Sequence, residues 1–154
     1  MLFLDKNVRR YQDAKRQLMD YHQELFSNPS KKSIFACAKK LNLFKRGQIV
    51  FPTNECADVF VDFFIYSWPS KADCPVAKSN MEDNTDLIAG TQNNVFSVFE
   101  VSSLGNSKVR ATDIFRDGMV EEVYDFNFSR SISGEYLFAT RLLKFPDFSF
   151  LHCI

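Results

Sequence analysis

Chemistry at neutral pH is most often carried by histidine, cysteine or clustered carboxylates, and this 154-residue sequence offers few arrangements of them. His22 lies one turn from Leu18 and Leu25 on an apolar stripe, where a core-edge histidine with a satisfied ring is expected. His152 precedes Cys153, but adjacent strand residues point to opposite faces, so the two do not make a nucleophile and its base. Glu55, Asp58 and Asp62 recur at i, i+3 and i+7, with Tyr66 one turn further. Such a stripe can bind a hard cation or run acid–base chemistry. The plainer readings are a solvated face, or a seam paired with lysines of the preceding helices. The five glycines, at 47, 90, 105, 118 and 134, are never closer than 13 residues, which excludes a P-loop, a dinucleotide fingerprint and a Gly-x-Ser-x-Gly elbow. No cofactor and no metal are expected, and the candidate catalytic set is empty.

A second cluster is basic. Lys31, Lys32, Lys39, Lys40, Lys45 and Arg46 put six positive charges within 16 residues, enough to neutralise several phosphates. A lysine-rich helix face is more often a solubilising surface, and neither a helix-turn-helix pair nor an aromatic RNA-stacking platform is recognisable. Net charge is zero, yet residues 1–46 hold 11 Lys or Arg against 4 acids, and residues 47–154 hold 8 against 15. Either the basic segment meets an external anion or it packs on the acidic remainder. The second, intramolecular reading is the favoured expectation.

Cys37, Cys56, Cys74 and Cys153 are spaced 19, 18 and 79 residues apart, unlike the close pairs of a zinc or redox site, and read as free thiols. Asp5 follows Met1-Leu2-Phe3-Leu4 at once, so no secretory signal is expected, and Val59–Trp68, broken by Asp62, is half a membrane span. A cytoplasmic, reducing location and no membrane partner follow as expectations.

The elements that must position these groups are read from periodicity. Leu4 to Phe26 carries an apolar stripe with Lys15 upon it, Asp5 as N-cap and Asn28-Pro29 as stop. Lys15 is expected to lay its methylenes on the core and lift its ammonium to water or an acid. A second helix is expected from the N-cap Ser30 to about Phe44, closed by Gly47, followed by an extended link at Gln48–Phe51. A third, nearly enclosed helix is expected from Pro52-Thr53 to about Ser67. Residues 68–94 form a connection, with a short helix near Val76–Met81 or Asp86–Ala89.

Beyond Asn94 the period changes to two. Strands are expected at Val95–Val101, Lys108–Phe115, Met119–Phe126, Glu135–Phe145 and Phe148–Leu151, with turns at Asp117-Gly118, Ser133-Gly134 and Pro146-Asp147. The expected fold is a single α+β domain over 1–154. Three N-terminal helices, about 4–67, pack on a C-terminal antiparallel meander of four or five strands, about 95–152. The 17 phenylalanines are assigned to its core, and an exposed partner-binding patch is the other reading.

Val109-Arg110-Ala111-Thr112-Asp113-Ile114-Phe115, then Gly118 and Val123, then Ser131 and Gly134-Glu135-Tyr136-Leu137-Phe138-Ala139-Thr140-Arg141 resemble a segment of uncharacterised bacterial proteins, some of which carry a SEC-C zinc motif elsewhere. The resemblance implies strands and a hairpin over 109–141 and no activity. The Cys-x-Cys element of that motif is absent here, so no zinc ligand carries over. The function expected is a non-enzymatic binding or interaction module, with an unknown protein partner or self-association. The alternatives are a nucleic-acid binder on the basic helix 30–46 and a small carboxylate hydrolase on Glu55, Asp58 and Asp62.

Overall fold

The computed structural model describes residues 6–79 and 85–152, apart from the Thr85 side chain. Asp5, proposed above as an N-cap, Met81 and Cys153 lie outside the described residues. The chain divides into two compact units, one comprising residues up to Gln17 with those from 85 onward, the other residues 18–79. The mixed α+β class holds, with six helices, a two-stranded hairpin and a closed five-stranded barrel among the described residues, so the expected three helices and antiparallel meander are met in part.

Helix α1 (Lys6–Leu25) buries Val8, Tyr11, Leu18 and Tyr21, a stripe at spacings of three and seven. It stops where Ser27 Oγ donates to the Glu24 carbonyl, two residues before Pro29. Helix α2 (Lys31–Lys40) starts on Ser30, whose hydroxyl accepts from Ser33 N at 3.1 Å. It ends earlier than Phe44. Asn42 turns left-handed at φ 57°, Asn42 N donates to Lys39 O and Leu43 N to Ala38 O, which together form a Schellman cap. The chain then forms a small hairpin, β1 (Phe44–Lys45) against β2 (Gln48–Ile49), with Phe44 opposite Ile49. Arg46 (φ 50°) and Gly47 (φ 83°) make its two-residue turn, so Gly47 closes a hairpin and not a helix.

Helix α3 (Asn54–Ser67) buries Phe60, Phe64, Ile65 and Tyr66, while Val59 is exposed, so it is less enclosed than its composition suggests. Phe60 and Phe64 join Cys37 and Ala38 in a core that also packs Phe26, Ile34, Leu43, Phe44 and Trp68. Phe26 meets Phe64 edge-on at 5.4 Å, and Trp68 Nε1 donates to Ser33 Oγ at 3.1 Å, tying the end of α3 to α2. A short helix α4 (Pro75–Lys78) follows.

In the other unit helix α5 (Thr85–Gln92) leads into β3 (Asn94–Gly105), β4 (Lys108–Asp113) and β5 (Val120–Tyr124), which form the expected antiparallel meander. Asp117 (φ 52°) and Gly118 (φ 67°) make the β4–β5 turn as predicted. The meander then stops. Asp125 Oδ1 accepts from Asn127 N and Phe128 N and starts helix α6 (Phe128–Ser131), so Ser133-Gly134 ends a crossing segment rather than a hairpin. Strand β6 (Glu135–Lys144) pairs with β3, and β7 (Ser149–His152) lies between β6 and β5, parallel to β5. The barrel is closed in the order β3-β4-β5-β7-β6.

A five-stranded closed barrel with a helix between its third and fourth strands has the connectivity of an OB-type barrel, which shows a fold and not an activity. Phe99, Val101, Val109, Ala111, Val123, Leu142 and Leu151 fill the interior, with Phe128 and Ile132 packed against them. Tyr11 of α1 covers the outer face, stacked 6.3 Å from Tyr124 and edge-on to Phe150 at 5.4 Å. No helix among the described residues is long and apolar enough to cross a membrane.

Candidate functional site

The basic candidates fall on one compact piece of the helical unit. Cys37 and Ala38 are buried and Ile34 half-buried, which fixes the inward face of α2 and turns Lys31, Lys32, Lys39 and Lys40 to solvent. Because α2 ends at Lys40 and the hairpin folds back, Phe44 lies in contact with the helix, and the exposed Lys45 and Arg46 follow on the hairpin. None of the six cations forms an ion pair among the described residues. Several barrel-unit cations are matched instead: Arg10 with Asp147 and Asp86, Lys108 with Glu122 at 3.9 Å, Lys144 with Glu121. Arg110 lies opposite Glu122 on the outer β4–β5 surface, which leaves that part of the barrel balanced in charge.

An aromatic member of the basic face was missed in the sequence. Phe35 is 39% exposed, four residues after Lys31 and four before Lys39. Its ring lies 5.1 Å from that of Phe44, and Lys39 Nζ sits 5.0 Å over the Phe44 ring. The i, i+4 spacing was the available signal, because it places Phe35 among the lysines and away from Cys37.

The acidic stripe does not open onto a shared cleft. Glu55 is exposed in the first turn of α3, held below the usual carboxylate range by the Thr53 hydroxyl and then by a backbone hydrogen bond. Asp58 is half-buried, Asp62 is buried and Tyr66 lies in the core, its hydroxyl 2.7 Å from His22 Nε2. His22 is thus the satisfied core-edge histidine expected. Among the described residues no three His, Cys, Asp or Glu could hold a metal ion together.

The remaining nucleophile and base candidates sit apart from one another. Cys37, Cys56 and Cys74 are free thiols, and burial pushes Cys37 up to about 11, far from thiolate at neutral pH. His152 is pushed down to about 4 by burial, with Arg141 and Lys15 adding like charge, so its imidazole stays neutral. Lys15, an exposed residue, reaches over the Tyr11 ring at 5.8 Å and donates from its ammonium to the Tyr11 hydroxyl at 3.4 Å, a phenol where water or an acid is expected. A recess of about 170 Å³ lies among Arg10, Gln17, Leu87, Phe145 and Phe148. It is well below the roughly 300 Å³ at which small-molecule sites begin.

No curated protein and no solved structure matches the chain. A family model does, over residues 5–154, and its description is a family of unknown function, DUF7986. With nearly the whole chain matched, the protein belongs to the DUF7986 family.

Proposed function

We propose that the protein is a non-enzymatic binding module that takes a polyanion, nucleic acid in particular, on the outward face of α2 and the β1–β2 hairpin. The observation that carries this reading is the set of six exposed cations, Lys31, Lys32, Lys39, Lys40, Lys45 and Arg46, with no ion pair among the described residues. Unpaired lysines are free to displace the counterions condensed on a phosphate backbone, and that release drives binding. Titrating salt against binding to a mixed DNA and RNA pool tests it. Six contacts give a log–log slope of about −4 to −5, and Lys39→Glu with Lys40→Glu should make it shallower by about 2 or more. A slope near zero sinks the proposal.

A protein-partner or self-association reading has its own support on the barrel unit. Phe115, Met119 and Val120 flank the Asp117-Gly118 turn and are 73%, 54% and 56% exposed. Sedimentation of Phe115→Ser beside the parent decides it, since an unchanged monomer in both removes self-association. The hydrolase reading rests on Glu55, Asp58 and Asp62 alone, which grade from solvent into the core. The free thiols of Cys37, Cys56 and Cys74 among the described residues suit a reducing, cytoplasmic setting.

A further inference from the structure

Resting on the polyanion reading above, we infer that the α2–hairpin face binds single-stranded nucleic acid, with Phe35 as a platform for an unpaired base. A duplex shows its sugar–phosphate edge to a protein surface and keeps its bases stacked inside. A phenylalanine in the middle of a phosphate-contacting face then meets charged, hydrated groups. A single strand offers base faces between its phosphates, and stacking on an aromatic ring tolerates any base.

The local geometry has this alternation. Lys31 and Lys39 are each four residues from Phe35, about 6 Å along the helix axis on either side. A base resting on the ring leaves its flanking phosphates within reach of both ammonium groups. Phe44 buttresses the platform from behind at 5.1 Å, its ring tilted 51° to that of Phe35, and Lys39 crosses the Phe44 ring at 5.0 Å. The ring is therefore held while 39% of its residue surface stays open. The hairpin continues the charge with Lys45 and Arg46, which extends the track beyond a single nucleotide.

Fluorescence anisotropy on the full chain tests this with a 15-nucleotide dT strand, a 15-base-pair duplex, heparin and phosphatidylserine vesicles as probes. The dT strand should bind tightest. Phe35→Leu, which keeps apolar bulk without a ring, should lose about tenfold on dT and little on duplex or heparin, while Phe35→Tyr should retain binding. Lys39→Glu with Lys40→Glu should weaken all the nucleic acids and heparin together. If Phe35→Leu leaves dT binding unchanged, or duplex binds as well as dT, the single-strand inference is overturned while the polyanion reading stands. Absence of salt-dependent binding to every polyanion overturns both. Preferential, Phe35-dependent binding to the vesicles replaces the nucleic acid with a membrane surface and refutes the inference.

Discussion

Gly90 gives the sharpest test of how the barrel unit is packed. It lies in α5, where alanine would ordinarily stabilise the helix by about 1 kcal/mol. Here a Cβ would come within 2.5 Å of Cδ1 and Cε1 of Phe145 and 2.6 Å of its Cγ, about 1 Å inside ordinary van der Waals contact. The ring has little freedom to retreat. It is stacked on Phe148 at 4.9 Å and 3° and on Phe150 at 5.4 Å and 17°, and Phe150 is itself covered by Tyr11. Overpacking against a locked ring costs about 3 kcal/mol, the upper part of its usual range, so Gly90→Ala should destabilise by about 2 kcal/mol after the helix-propensity gain. That corresponds to a melting temperature lower by about 5 °C in a chain of this size. Urea denaturation followed by far-ultraviolet circular dichroism measures the loss. With the whole cost in one contact, Phe145→Ala, which removes all three ring atoms beside Gly90, should leave only the helix-propensity gain and make the second substitution stabilising by about 1 kcal/mol, a coupling of about 3 kcal/mol. A Gly90→Ala protein as stable as the parent, or a cost unchanged in the Phe145→Ala background, would refute it.

Two further outcomes follow from the half-buried His152 and the buried Cys37. His152 titrates at about 4 in the folded protein against an ordinary 6.5, so below 6.5 the unfolded chain takes up a proton that the native state refuses. Its contribution to stability is fully present above pH 6.5 and fades as pH falls toward 4, by on the order of 3 kcal/mol. His152→Leu should flatten that part of the stability–pH curve, and matching curves for parent and variant would remove the argument. Cys37, buried and pushed up to about 11, should resist iodoacetamide at pH 8 until the protein opens, whereas the half-buried Cys56 should react first. Peptide mass spectrometry over a labelling time course decides this, and equal rates at the two cysteines would contradict it.

Local features were legible in the sequence where one interaction dictates one conformation. The apolar stripe through Val8, Tyr11 and Leu18 required a helix with one wet face, though not the burial of Tyr21, and Asp117-Gly118 required left-handed turn residues between two alternating strands. Barrel closure was not legible, because the alternation of β3 and β6 is the same whether β6 follows β5 in a meander or returns to β3. The choice rests on long-range pairings such as Val95 with Leu142, and on a parallel contact as small as Tyr124 with Phe150. The end of α2 was misread for a different reason. Gly47 is the obvious stop, but Asn42 adopts the left-handed conformation itself five residues earlier, and Asn42 N and Leu43 N satisfy the Lys39 and Ala38 carbonyls. For the acidic stripe, a helical projection gives the face that Asp58 and Asp62 share and says nothing of what covers it, and burial of Asp62 is a property of the folded surroundings.

The placement of charge along α2 argues that its basic face is more than a consequence of solubility. Lys31 and Lys32 occupy the first turn, which has no acidic residue, and so sit at the positive end of the helix dipole. Each costs the helix about 0.3–1 kcal/mol relative to a carboxylate there, whereas Lys39 and Lys40, in the last turn, are favourable. A solvated helix tuned for stability alone would carry the opposite sign at its start, as Glu55 does in the first turn of α3. No carboxylate among the described residues pairs with Lys31 or Lys32 to offset that cost, and on the proposed polyanion reading a phosphate at this end would meet two ammonium groups and the dipole together. Lys31→Glu with Lys32→Glu should therefore raise the stability of the free protein, by about 1 kcal/mol in low salt, while weakening dT binding. A variant that is less stable, or that binds as well as the parent, would show that these two lysines serve the fold and not a ligand.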